Sequence, residues 1–177
     1  MLKPAILYKN ELTHLFNTIW FNKHYMYYNN SIYYKELQIN SESWDSHQFV
    51  SVDDNNEIIG FFSYTIDRQT NNVKNFRIIN FSRNKLLFGF DLYFCLRDIF
   101  CKFNFHKLSF CCIQDDPTKM VYDKLIEKYK GRVVGVQKQE IKLIDNKYHD
   151  VVLYEILRMD YLHYRTMITV DGLSKFK

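Results

Sequence analysis

Residues Ile99–Val136 read IFCKFNFHKLSFCCIQDDPTKMVYDKLIEKYKGRVVGV, and the fold turns on how this stretch divides. KLSFCCI (Lys107–Ile113) is short, apolar and flanked by polar residues, the pattern of a buried strand. DDPTKMVYDKLIEKYKG then spells a helix, with Asp116 suited to the N-cap, Pro117 to the first turn and Gly131 to the stop. Val121, Leu125 and Tyr129, with Tyr122 and Ile126 beside them, recur at helical spacing and form its inner face. RVVGV opens the next strand.

Downstream, RVVGVQKQEIKLIDNKYHDVVLYEILRMDY makes two long strands around Asp145-Asn146, an antiparallel hairpin. The tail from Leu162 contains RTMITV, a candidate extra strand. Upstream, a helix over about Phe88–Phe103 is apolar nearly all round. Its one wet stripe is Asp91, Asp98 and Lys102, the last two an i,i+4 pair, so the helix is expected to be covered on most sides and to lie against a sheet. Before it, Gln48–Val52, Ile58–Asp67 and about Val73–Phe81 read as three antiparallel strands joined by the turns DDNNE and QTNN. At the start, Ala5–Tyr8 reads as a short strand. A helix follows from about Asn10, with Leu12, Leu15, Phe16, Ile19 and Trp20 on one face. HYMYYNNSIYYKELQIN then reads as a loop and a second short helix. With no repeat or linker in the chain, the order predicts a single α+β domain on one central mixed sheet.

The totals agree. A chain of 177 residues with 47% apolar content buries a real core. The net charge of +4 is too mild to argue for nucleic acid. The excess is concentrated between Lys119 and Lys142, where seven Lys/Arg face three acids; a solvated face or a nearby polyanionic ligand would each explain it. Cys95, Cys101, Cys111 and Cys112 show no metal or redox spacing and read as small buried hydrophobes in a reducing compartment. With no signal-peptide core and no apolar run of membrane-spanning length, the expectation is a cytoplasmic protein without a membrane partner.

Between the third strand and the apolar helix lies NFSRNKLLFGFDL (Asn80–Leu92). A strand, a loop and a helix N-terminus converge unpaired N–H groups and a helix dipole on one spot, which suits an anion. Such loops favour glycine, because a Cβ blocks close approach of the backbone to a phosphate; this one holds only Gly89.

Taken with the element order, Ile99–Val136 resembles the GCN5-related N-acetyltransferase (GNAT) superfamily. An apolar helix leads into a short strand, then a helix with a Tyr-x-Lys-Leu segment, then a Gly-containing strand. IKLIDNKYHDVVLYEILRMDY looks like the late part of the same family, where an Asp-containing turn precedes Asp150 and a Tyr-Glu-Ile strand. The resemblance covers about Gln48–Tyr161 well and the N-terminal helices loosely. It implies a GNAT-like domain over 1–161 and a C-terminal extension over 162–177. Its sheet would be mostly antiparallel, with two parallel strands splayed apart and helices on both faces.

The resemblance further implies acetyl transfer from acetyl-CoA, as cosubstrate, to a primary amine of a protein or small molecule, by direct attack in a ternary complex. The cofactor's pantetheine arm would lie between the edges Ile78–Phe81 and Phe110–Ile113, a form of β-augmentation. The cofactor-binding candidates are Ile78, Ile79, Asn80, Phe81, Arg83, Asn84, Lys85 and Gly89. The family's loop reads Arg or Gln, two residues, Gly, one residue, Gly or Ala. Started at Arg83, it puts Leu86 and Phe88 where small residues belong; aligned on Gly89, it puts Leu86 first and Asp91 last. Tyr122 stands where the family often has the acid that protonates the leaving thiolate, and a backbone N–H near Ile79 or Asn80 would meet the oxyanion. Asp67 and His149 are the candidate bases. Trp20, Tyr25, Tyr27, Tyr28, Tyr33 and Tyr34 are candidates for the acceptor wall. No metal site is expected, and self-association as a homodimer stays open. The alternative is a catalytically inactive GNAT-like module acting through protein–protein contacts.

Overall fold

The computed structural model describes residues 1–19, 22–28, 37–82 and 85–165. Along the chain, β1 (Leu2–Pro4) leads through a 3-10 turn (Ala5–Tyr8) into α1 (Lys9–Ile19) and a second 3-10 segment (Lys23–Tyr28). Then come β2 (Ser46–Val52), β3 (Ile58–Asp67), β4 (Asn72–Asn80), α2 (Lys85–Arg97) with a π-helical turn (Asp98–Lys102), and β5 (Lys107–Ile113). Next are α3 (Lys119–Lys128), β6 (Arg132–Lys142) and β7 (Tyr148–Leu157), and residues 158–165 form α4. Among the described residues seven strands make one sheet, ordered β1-β2-β3-β4-β5-β7-β6.

The order follows from the connections. Tight turns join β2, β3 and β4, which therefore pair antiparallel, whereas the α2 crossover makes β4 and β5 parallel. The α3 crossover carries β6 past β5, and the β6–β7 hairpin returns β7 into the space between them. Helices cover both faces. On one, Tyr8, Leu12 and Phe16 pack on Val50, Phe61 and Ile79. On the other, α2, α3 and α4 bury Phe88, Leu92, Tyr122, Tyr129 and Tyr161 against Phe62, Phe76, Phe110 and Tyr154. No helix among the described residues is long and apolar enough to cross a membrane.

Several local expectations are corrected. Ala5–Tyr8 is a 3-10 turn, not a strand: Ala5 and Tyr8 are buried at i,i+3, the spacing that 3-10 geometry eclipses, and the strand lies just before them. α2 begins at Lys85, so Asp91 is in its second turn, buried and away from the wet stripe. Its carboxylate accepts from Ser51 Oγ at 2.5 Å and lies 2.9 Å from the Met1 ammonium. The Asp98–Lys102 pair forms, at 3.7 Å. Nor is α2 covered on most sides, since Leu86 (72%), Phe90 (55%), Tyr93 and Phe94 stand exposed along one stripe.

At α3 the N-cap position is Thr118 rather than Asp116, whose Oδ1 accepts the Thr118 N–H at 2.7 Å one turn ahead of the helix. The left-handed residue that ends α3 is Lys130 (φ 55°). Gly131 serves packing instead: a Cβ there would meet the Glu155 carbonyl oxygen at 2.6 Å. Val121 is exposed rather than on the inner face. Cys95 and Cys112 are buried as expected, but Cys101 is half-buried and Cys111 exposed. Most of RTMITV lies outside the described residues.

Candidate active site

β4 and β5 are paired only at Asn72–Lys107 and Val73–Leu108; beyond these registers they diverge. The cause lies in β4. Between the pairs Ser63–Arg77 and Thr65–Lys74, Asn75 and Phe76 both stand opposite Tyr64 alone, a β-bulge with Asn75 in the left-handed region (φ 53°). Asn tolerates that conformation, and the Asn75 side-chain amide donates to Thr65 Oγ1 at 3.1 Å. A bulge bends its strand and raises the local twist, here where β4 leaves β5. The outer edges stay in the sheet, β4 on β3 and β5 on β7, so the facing edges of residues 76–79 and 111–113 are left to a cavity.

That cavity has a volume of about 580 Å³ and reaches from the α1 side to α3. Ile78 and Ile79 line it from β4, and Cys111, Cys112 and Ile113 from β5. Tyr122, Thr118 and Asp116 border it at α3. Tyr122 is buried, its ring 5.1 Å from Phe110 and 6.2 Å from Tyr154. Burial pushes the Cys112 thiol up to about 12 and also raises the Asp116 carboxyl. Partial desolvation at the cavity wall raises Cys111 too, although the residue keeps solvent exposure, and the positive charge of Arg77 across the gap opposes the rise.

At the far end of β4, half-buried Asn80 accepts the Ser82 N–H on Oδ1 at 3.0 Å. The Phe81 N–H bonds the Ile59 carbonyl at 2.9 Å, and its ring packs on Phe16 and Tyr25. Lys85 is exposed in the first turn of α2. Arg83 and Asn84 lie outside the described residues. Gly89 sits inside α2 rather than in the loop, and a Cβ there would meet nothing within 4 Å.

Neither candidate base opens into the cavity. Asp67 caps the β3–β4 turn, accepting N–H bonds from Gln69 and Thr70, and lies 2.8 Å from Lys74, whose hydrogen bond holds the carboxyl down to about 2. His149 is buried between Asp115 (3.3 Å) and Asp145 (3.1 Å), with the Tyr27 ring edge-on at 6.1 Å. Tyr27 itself lines the cavity. Burial first, then the carboxylates of Asp115, Asp116 and Asp145, push its phenol up. Tyr25 packs on Phe81; Trp20, Tyr33, Tyr34 and the side chain of Tyr28 lie outside the described residues. Reading the sequence missed the cavity positions of Arg77, Asp116 and Thr118, whereas Cys111 fell within the strand edge that the resemblance implied. The one available signal was Asn75, an Asn in mid-strand where a bulge is the cheapest explanation. Among the described residues no group of three or more His, Cys, Asp or Glu is arranged to hold a metal.

A mostly antiparallel sheet with one parallel pair splayed by a bulge, between helices on both faces, is the fold of the GCN5-related N-acetyltransferases. Among solved structures, the chain is similar to the spermidine N-acetyltransferase SpeG from Vibrio cholerae in complex with CoA and spermine (TM-score 0.72, 19% identity, 92% of this chain and 97% of that one). It is also similar to the same Vibrio cholerae enzyme with manganese ions (TM-score 0.67, 21% identity, 92% and 95%). No family model matches the sequence, and a comparison with curated proteins found no match.

Proposed function

We propose that the chain is an N-acetyltransferase that moves an acetyl group from acetyl-CoA to a primary amine in a ternary complex. The observation that carries this reading is the divergence of β4 from β5 around a cavity of about 580 Å³. Fold neighbours that acetylate spermidine, one of them holding CoA and spermine, support it at the level of acetyl transfer to an amine.

The residues present fit a thioester arm. The strand edges at Ile78–Asn80 and Cys111–Ile113 offer main-chain partners without demanding particular side chains, and their apolar side chains exclude water. Lys85 and the first amides of α2 would meet the diphosphate, with Arg83 and Asn84 assigned there from the sequence alone. Acetyl-CoA, when bound, supplies the activated carbonyl. The acceptor nitrogen bonds to that carbon, the C–S bond breaks, the nitrogen loses a proton and the sulfur gains one. Tyr122, on the cavity wall, is the group assigned to protonate the sulfur, and a β4 N–H near Ile79 or Asn80 the donor to the oxyanion. Because Asp67 and His149 are engaged elsewhere, the proton from the amine is assigned to water.

A second reading, an inactive binding module, draws on one feature: the segment from Phe81 to Phe88 has no glycine. Calorimetry separates the two. Acetyl-CoA binding, with acetyl transfer to an amine, is expected; no binding at millimolar acetyl-CoA would overturn the enzyme.

A further inference from the structure

The cavity floor is formed by the face of β2, β3 and β4 turned away from α2 and α3. It presents Ser46, Gln48, Ser63, Thr65, Asn75 and Arg77. Five of these are neutral. Arg77 is exposed, one residue past the bulge and two before Ile79, so it stands beside the point where the strands part.

Among the described residues Arg77 joins no ion pair. The carboxylates of the flanking strands β7 and β3, at the end where β4 and β5 pair, are committed to other cations: Glu155 to Arg132 (2.5 Å) and Lys107 (3.4 Å), Asp67 to Lys74 (2.8 Å). The one carboxylate on the cavity's described lining, Asp116, lies beyond β5 and bonds the Thr118 N–H. A guanidinium cannot discharge by losing its proton, and its planar fork matches a carboxylate or phosphate. A polyamine lying on this floor would bring a second ammonium against a fixed positive charge.

We propose that Arg77 selects acceptors in which the reacting amine shares its skeleton with an anionic group, a carboxylate or a phosphate, and selects against polyamines. The proposal rests on the acetyltransferase reading and names its substrate class. The amine still attacks and the thiolate still leaves as above; Arg77 holds the far end of the acceptor and exchanges no proton.

The test is steady-state acetylation of 4-aminobutyrate, 2-aminoethyl phosphate, ethanolamine and spermidine at saturating acetyl-CoA, with product read by mass, for the wild type, Arg77→Lys, Arg77→Gln and Arg77→Glu. Acetyl-CoA affinity is measured calorimetrically in parallel. The wild type is expected to have higher kcat/KM for one or both anionic amines than for ethanolamine, and lowest for spermidine; which anionic amine leads tells carboxylate from phosphate. Loss of a charge-assisted fork corresponds to about 10- to 100-fold, so Arg77→Gln should lower the anionic-to-neutral ratio by that much. Arg77→Lys should keep most of the ratio, and Arg77→Glu should turn preference toward spermidine. A wild type that binds acetyl-CoA but favours spermidine, or acetylates none of the four, overturns this proposal alone, as does an unchanged ratio in Arg77→Gln. Absence of acetyl-CoA binding removes the acetyltransferase reading with it.

Discussion

Tyr122 and Asp116 stand six residues apart at the entrance to α3, and both were read from the sequence as helix residues first. The structure brings both to the cavity. For Tyr122, removing the hydroxyl while keeping the buried ring separates chemistry from packing. Tyr122→Phe is expected to lower kcat by about 100-fold or more, the low end of what a general acid contributes, with acetyl-CoA affinity nearly unchanged. Unaltered turnover would remove Tyr122 from the mechanism. For Asp116, burial disfavours the charged form, so its carboxyl is raised in the folded protein. A group raised on folding contributes stability that is fully present below its unfolded value, near 3.8, and lost as pH rises through the folded one. Asp116→Asn keeps an acceptor for the Thr118 N–H without that charge. Its stability relative to wild type should therefore rise from about pH 4 through the raised pKa and then level off, as read from urea midpoints across pH. A flat difference would show that the carboxyl is not perturbed.

Elements were legible where a period or a turn wrote them, and less so where tertiary packing chose. The alternation in β2, β3 and β4, the turn at Asp145-Asn146 and the amphipathic stripe of α1 all follow from spacing, and their bounds agree within a few residues. The start of α2 did not, because nothing local distinguishes KLLF as helix from KLLF as loop. Asp91 was misread with it, since its partners are 40 and 90 residues distant in sequence. Asp91 ties β2 and the chain's first residue to α2. Asp91→Ala strands the buried Ser51 hydroxyl and is expected to cost about 1–3 kcal/mol, measured by chemical denaturation; a loss below about 0.5 kcal/mol would mean solvent replaces the contact. Gly60 marks a second packing decision. The Phe88 ring of α2, stacked on Phe62 at 4.9 Å, passes so close that a Cβ at Gly60 would meet it at 2.4 Å. Gly60→Ala should cost about 1–3 kcal/mol by overpacking, visible as a lowered Tm, and an unchanged Tm would show that Phe88 moves aside freely.

For the whole molecule, the fold class and the mixed sheet could be read from the order of elements, because short turns force antiparallel neighbours and a helical crossover forces a parallel pair. The divergence of β4 from β5 could be expected only by resemblance. Its physical cause, the bulge at Asn75 and Phe76, is set by register against β3, and its local trace in the sequence is a mid-strand Asn. The site was legible in the same proportion. Ile78, Ile79, Cys111 and Tyr122 line the cavity on elements that the resemblance had singled out, whereas Arg77 and Thr118 became visible only once the strands parted. The most direct measurement is a crystal structure of the protein grown with acetyl-CoA. The account predicts the thioester arm between the Ile78–Asn80 and Cys111–Ile113 edges, with its diphosphate at the start of α2. A cofactor bound anywhere else, or an empty gap at millimolar acetyl-CoA, would contradict it.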